Sequence, residues 1–451
     1  MSAERLVIVG GDAAAMTAAS QARRERAGLD IIALEKGNYV SYAACGIPYY
    51  VGGVIKDFDE LLIRKPEEFR QKQNIEARIR HEVLRIRPDE GRVVIRDLEG
   101  NREYEESYDQ LLIATGARAV WPPLPGIDAE GIYSVLSLDD AKALRKVLEH
   151  DRPARVVIVG GGYIGLELAE AFRLWDVDVS IVGRAPELLR SIDPDMGALV
   201  SAALTKMGVH LHLGEAASGF EVSSGRVSAV VTPERTLPAD LVLVGAGMQP
   251  NSDLAKEIGL PLGVKDTIKV DDHMRTPIQN IWAAGDCVET VQLITGEPYW
   301  VSLAAVASKQ GRVAGTNIAG GDAFFPGTFG TTITKAGPIE IARTGIQETD
   351  LSDGRIPYAT ARADARTCAR YYPTSEPLSI KLIAEVGSGR LLGGQIVGGA
   401  GSAMRINILS TALQARMTID QVASLDLAYA PPFSTTWDPV LLVARDLCTK
   451  C

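Results

Sequence analysis

One short pattern occurs twice in this chain, and it restricts the fold more than any other feature. Residues 6–9 are a β-branched, apolar run that ends at Gly10-Gly11, and a helical stretch, 13–26, follows. A second apolar run, 31–34, ends in an acid, Glu35. The order recurs about 150 residues on: run 156–159 leads into Gly160-Gly161-Gly162, then a helical stretch, 163–173, then a run, 179–182. Strand, tight glycine turn, helix and strand make a βαβ unit. Each half closes with a further apolar run and turn, 111–116 and 241–247. Two dinucleotide-binding domains in tandem are the simplest account.

A third apolar segment, 281–284, ends at Gly285-Asp286, and a helical stretch, 303–318, follows it. From about residue 329 the texture changes to alternating, strand-like runs such as 380–385 and 391–397, then a helix at 403–415 and a turn at Ala430-Pro431-Pro432. This part reads as a separate α+β domain. The expected divisions are 1–118 and 251–325 for the first nucleotide domain, 119–250 for the second, and 326–451 for the last. The cluster Pro122-Pro123-Leu124-Pro125-Gly126 is a rigid connector at the first boundary. The class is α/β, with two Rossmann-like domains and a C-terminal α+β domain.

Composition excludes several classes. With 46% apolar residues over 451 positions the chain buries a sizeable core. Its net charge of −10 argues against a nucleic-acid partner. No apolar run approaches the ~18 residues of a membrane span. Met1 to Arg5 leads straight into the first strand, without the apolar core of a secretion signal. Five cysteines in so long a chain do not make a disulfide framework. A cytoplasmic protein is expected, and no metal site.

A glycine at a strand-to-helix turn lets backbone approach a pyrophosphate, and the helix N-terminus supplies free N–H groups and partial positive charge. The second turn is complete, Gly160-x-Gly162-x-x-Gly165. The first keeps Gly10 but has Asp12 and Ala15 at the other two positions. Glu35, 25 residues after Gly10 at the end of the second run, suits a pair of ribose hydroxyls. After 179–182 the matching place holds Gly183 and Arg184 instead of an acid. Arg184 suits a 2′-phosphate, which favours NADPH over NADH at the second site.

Cys45 lies ten residues past Glu35, in Ser41-Tyr42-Ala43-Ala44-Cys45-Gly46-Ile47-Pro48. With that segment in place the chain resembles the flavin-dependent pyridine nucleotide–disulfide oxidoreductases. The motifs that carry the resemblance are Gly10 with Glu35 and Lys36, Ala114-Thr115-Gly116, Gly160-Gly161-Gly162-Tyr163-Ile164-Gly165, and Ala284-Gly285-Asp286. It implies FAD at the first site, NADPH or NADH at the second, and Tyr163 as a gate over the nicotinamide. Ser-x-x-x-Cys-Gly resembles the single-cysteine branch, and Tyr371-Tyr372-Pro373 with Tyr429-Ala430-Pro431-Pro432-Phe433-Ser434 resembles the coenzyme A disulfide reductases. In that family the last domain makes a homodimer, and the partner's tyrosines, here Tyr371 and Tyr429, close over the active cysteine.

The residues agree with that sorting. All five histidines, the last being His273, precede the C-terminal domain, so a two-cysteine mechanism with a C-terminal histidine acid is disfavoured. Oxidase and peroxidase members carry a histidine in the first glycine turn; Ala13 stands there, which removes a proton donor for oxygen or peroxide and favours a disulfide. The resemblance implies hydride transfer to the flavin and a mixed disulfide between Cys45 and coenzyme A, with Cys45 lowered in pKa by flavin and helix termini. It assigns Thr17, Gln21, Arg24 and Ser41 to coenzyme A, while Ala44 replaces an asparagine and Gln73 a lysine, with Lys72 adjacent. Persulfides and smaller disulfides stay open as substrates. An NAD(P)H oxidase and a flavin redox sensor are the alternatives. The terminal Cys448-x-x-Cys451 reads as an idle, frayed end, or else as a disulfide, half a metal site, or a relay from Cys45.

Overall fold

The computed structural model describes residues 4–352 and 354–451. The first βαβ unit opens a five-stranded parallel sheet, in the order Ile281–Ala283, Gln110–Ile113, Arg5–Val9, Asp30–Leu34, Ile75–Arg78. Residues distant in sequence thus complete the sheet that the N-terminus begins. Leu6, Val7 and Ile8 are all fully buried, since a central parallel strand is covered on both faces. Helix Ala13–Glu25 packs on helix Ala304–Ile318 at very short range. A Cβ at Gly311 or Gly315 would stand 2.3 Å from the Ala14 carbonyl oxygen or 2.4 Å from that of Ala18.

The second unit opens a parallel five-stranded sheet in the order Val209–Leu213, Asp178–Gly183, Arg155–Val159, Leu241–Val244, Ile132–Tyr133. The chain passes between these two bodies through an antiparallel strand pair, Ala117–Ala119 with Met248–Pro250. The last part is an antiparallel five-stranded sheet, Thr332–Ala336, Ile339–Gly345, Leu391–Gly398, Pro377–Glu385, Tyr358–Arg366 in spatial order. Helices Ile406–Gln414 and Pro439–Cys448 close its core.

Three features depart from the sequence reading. A three-stranded antiparallel sheet, His81–Arg87, Arg92–Asp97 and Arg102–Ser107, stands on the first domain. Its outer strand is almost wholly polar and therefore carries no apolar alternation. Cross-strand pairs such as Arg92–Glu105 (3.2 Å) and Arg96–Glu103 (3.1 Å) line it instead. The expected helix 403–415 is a 3₁₀ turn, Ala403–Arg405, followed by helix Ile406–Gln414. The C-terminus is not frayed. Helix Pro439–Cys448 buries Val440, Leu441, Val443, Ala444 and Leu447, and Cys451 packs against the same core. That apolar stripe, with Asp438 capping the Val440 N–H, anchors the tail.

Candidate active site

The two glycine turns are built alike. Gly10 has φ 123° and a Cβ there would lie 2.2 Å from the Ala114 oxygen; Gly160 has φ 125° and its Cβ would lie 2.1 Å from the Gly245 oxygen. Only glycine fits where two parallel strands end this close together. Gly165 brings the helix onto the turn, since a Cβ there would meet the Gly160 oxygen at 2.3 Å. Gly162 faces open space. Neither Asp12 nor Gly162 caps its helix with a side chain, so first-turn N–H groups stay available to an anion. Gly285 (φ 90°) closes the third strand end against Ala14. Thr115 donates to the Asn251 carbonyl at 2.5 Å and Asn251 returns a bond to the Thr115 carbonyl at 2.9 Å, which fixes the 114–116 turn at the domain crossing.

Three carboxylates gather at the first turn. Glu35 ends its strand with Oε1 accepting from the Gly37 N–H at 2.7 Å, and burial raises its pKa. Lys36 is exposed and draws Glu35 back down. Asp286 accepts from the Ser302 hydroxyl and is raised by burial. Asp12 accepts from the Tyr42 N–H at 3.2 Å; burial, Glu35 and Asp286 push it up to about 6. A carboxyl raised in this way takes up a proton more readily than a free one, which lessens its repulsion of a neighbouring phosphate without removing it. The open turn, free helix N–H groups and strand-end acid fit the pyrophosphate and ribose of FAD.

Cys45 sits in the 3₁₀ turn Ala44–Gly46 and is solvent-exposed. Its loop is tied to the first glycine turn. Ser41, at φ 50°, donates its N–H to the Gly11 carbonyl at 2.8 Å, beside the Tyr42–Asp12 bond. Among the chain's own groups, partial desolvation, then Glu167, Asp12 and Asp286, push the thiol up, so the expected lowering falls to the bound flavin. The following helix, Ile47–Val51, is only one turn long and supplies little dipole. Glu167, four residues after Tyr163 on the same helix, accepts from the Thr334 hydroxyl at 2.6 Å. The sequence reading missed it, although i, i+4 spacing from Tyr163 places both on one helix face. Tyr163 accepts from the Ser191 hydroxyl at 2.9 Å. Arg184 is exposed at the end of its strand.

The residues expected to hold coenzyme A divide. Thr17 and Ser41 are half-buried and Arg24 is exposed. Gln21 is only 8% exposed; it donates to Glu25 at 2.8 Å and Thr316 at 3.1 Å and accepts from Arg24 at 2.5 Å. Its side chain joins two tightly packed helices and is bonded within the protein. Gln73 accepts from Ser20 at 2.9 Å.

Tyr371 and Tyr429 are 75% and 46% exposed, and Tyr429 raises the pKa of the Tyr371 phenol. Neither is among the groups acting on Cys45 of the same chain. Phe433 and Trp437 of the same domain are exposed as well. Buried Arg405 fixes the 367 and 433–438 segments, bonding Asp438 (3.1 Å) and the carbonyls of Thr367 (2.6 Å) and Phe433 (2.9 Å). Cys448 and Cys451 lie beside Asp420, which with burial pushes Cys448 up to about 11. A thiol held protonated is a poor relay nucleophile. Among the described residues no group of three or more His, Cys, Asp or Glu is placed to hold a metal.

The chain belongs to the family described as pyridine nucleotide-disulphide oxidoreductase, which matches residues 4–311, and the family's dimerisation domain matches 332–439. It is an oxidoreductase of FAD and NAD(P)H. It is 39% identical to the CoA-dependent NAD(P)H sulfur oxidoreductase of Pyrococcus abyssi, with 98% of each chain covered. It is 36% identical to the NADH oxidase of Methanocaldococcus jannaschii, with 99% of each covered. The solved structure of an NAD-dependent persulfide reductase from A. fulgidus superposes with a TM-score of 0.96 at 39% identity, over 99% of this chain and 83% of that one. Among the described residues no helix is long and apolar enough to cross a membrane.

Proposed function

We propose that this chain is an FAD-dependent NAD(P)H:disulfide oxidoreductase that reduces coenzyme A disulfide, or a related low-molecular-weight disulfide or persulfide, through Cys45. The carrying observation is the position of that thiol. It is solvent-exposed on a loop tied to the first glycine turn and faces Glu167 of the second nucleotide domain, while Cys287 and Cys368 are buried. These support a single reactive sulfur close to the first glycine turn and under the influence of the helix that follows the second.

When bound, FAD carries an electron pair from NAD(P)H to sulfur. The Cys45 thiolate attacks one sulfur of the disulfide, forms a mixed disulfide and releases one thiolate. Two electrons and a proton then cleave the mixed disulfide, releasing the second thiol and restoring Cys45. Because the protein's own carboxylates oppose the thiolate, its stabilisation falls to the bound flavin and to hydrogen-bond donors from outside the chain. Tyr371 and Tyr429 of a second copy supply such donors in the proposed homodimer, whose contact includes these exposed aromatic side chains. Gly10, Glu35, Thr115, Gly116 and Asp286 hold FAD; Gly160, Gly162, Gly165 and Arg184 hold NADPH, with Tyr163 over the nicotinamide. Thr17, Gln21, Arg24 and Ser41 are the proposed coenzyme A contacts. A supply of reduced nicotinamide nucleotide and free thiols places the enzyme in the cytoplasm.

The test is anaerobic NADPH oxidation by the FAD-loaded protein with coenzyme A disulfide, beside an oxygen-only control. Fast disulfide-dependent turnover is expected. The M. jannaschii likeness favours a second reading, an NAD(P)H oxidase. Brisk oxygen consumption without disulfide activity would put that reading first, against the absence of a proton donor at Ala13.

A further inference from the structure

The segment 184–193 runs from the ribose-reading end of the second nucleotide site to the C-terminal domain, and it is held along its length. Leu189, at φ 55°, donates its N–H to the Gly161 carbonyl at 2.9 Å, and Leu188 fills the space where a Gly161 Cβ would stand, 2.7 Å from its Cδ2. This fastens the segment to the phosphate turn. Further on, Gln347 donates to the Arg190 carbonyl at 3.1 Å. Asp193 donates its N–H to Gln395 at 2.8 Å, accepts from Gln395 at 2.7 Å and from the Glu348 N–H at 2.9 Å, and pairs with Lys381 at 3.1 Å. Between these moorings stands Ser191, whose hydroxyl donates to the Tyr163 hydroxyl at 2.9 Å.

Tyr163 is the first residue of its helix and feels the charges of Arg343 and Glu167. Glu167 in turn acts on Cys45. Gly160–Gly162 would hold the pyrophosphate of a dinucleotide and Arg184 its 2′-phosphate, and Tyr163 stands at the start of the helix that follows the turn.

We infer that Ser191 is a positioning residue that holds the Tyr163 ring in its nucleotide-free place, and that the 184–193 strap makes release of the ring part of nucleotide binding. The inference rests on the reading of Tyr163 as the ring that covers the nicotinamide position. A bond that must break for the nucleotide to enter opposes binding. Removing it therefore tightens binding, by the worth of one neutral hydrogen bond.

The experiment is calorimetric measurement of the NADP⁺ Kd on FAD-loaded protein for Ser191→Ala, Tyr163→Phe, the double variant, Ser191→Thr and Tyr163→Ala. The first two each delete the same bond from opposite ends. The expected result is a Kd lower by about two- to tenfold in each. The double variant matches either single one, because the partners act as a unit. Ser191→Thr, which keeps the hydroxyl, returns to the parent value. Additive effects of the two single changes would overturn the inference, since Ser191 would then act elsewhere. So would an unchanged Kd in Ser191→Ala, or in Tyr163→Phe if the former does not fold. In that event a changed Kd in Tyr163→Ala leaves the gate reading standing, and an unchanged one removes that reading as well.

Discussion

The Thr334 hydroxyl donates to Glu167 at 2.6 Å, across the boundary between the second nucleotide domain and the C-terminal domain. The bond favours ionised Glu167 against the burial that raises its pKa. It thereby keeps a negative charge where Cys45 feels it most among its charged neighbours. The Cys45 thiol, the proposed reactive sulfur, thus feels a charge that is held by a contact outside its own loop.

Glu167→Gln removes that charge and keeps a hydrogen-bond acceptor for Thr334. The Cys45 thiol then ionises more easily, so the midpoint of its alkylation rate against pH moves to lower pH in the FAD-free protein. Asp12→Asn moves it the same way. An unmoved midpoint in Glu167→Gln would detach Cys45 from this carboxylate.

Cys45→Ser should abolish turnover with coenzyme A disulfide, because serine at neutral pH is far too weak a nucleophile toward sulfur and forms no mixed disulfide. The variant should keep its yellow colour and its FAD content after desalting. Retained disulfide-dependent turnover would end the single-cysteine mechanism.

Asp12 gives the protein a pH-dependent stability of predictable sign. Its folded value of about 6 lies above the ordinary 3.8, so the folded chain binds the proton more tightly than the unfolded one. The stability this contributes is full below 3.8 and is lost as pH rises through about 6. Asp12→Asn keeps the acceptor for the Tyr42 N–H and cannot ionise. At pH 8 it should therefore be about 3 kcal/mol more stable than the parent in urea unfolding, the difference vanishing in acid. Equal stabilities throughout would mean that Asp12 is not buried as described.

Arg184→Glu exchanges a partner for the 2′-phosphate for a repelling charge. The ratio of kcat/KM for NADPH over NADH should fall by about tenfold or more, the worth of one charge-assisted hydrogen bond. An unchanged ratio would make Arg184 a solvated surface charge.

Lys381 is nearly buried and pairs with Asp193 at 3.1 Å, Asp195 at 2.8 Å and Glu348. Lys381→Met leaves these carboxylates facing one another without a cation. The cost should be about 3–5 kcal/mol, read as a lower urea midpoint. A loss below about 1 kcal/mol would show that the carboxylates reorganise into water.

The tandem nucleotide domains were legible in the chain alone because their signals are contiguous. An apolar run, a glycine and a helical stretch encode a βαβ turn within about 30 residues, and Gly10 and Gly160 occupy equivalent positive-φ corners in the structure. The polar sheet 81–107 was not legible, since its outer strand lacks an apolar face and is ordered by pairing across strands. Nor was the fate of Gln21. Its match to a ligand-contact motif is local, whereas its bond to Thr316, 295 positions away, depends on how closely two distant helices approach. Cys45 shows the division most clearly. Its place in a motif picked it out as the reactive sulfur, but its proton affinity is set by Asp12, Glu167 and Asp286, brought together from separate segments. Local backbone geometry follows from adjacent residues. Burial and charge proximity exist only once distant segments have packed, so the acidity of the site was decided by the tertiary structure.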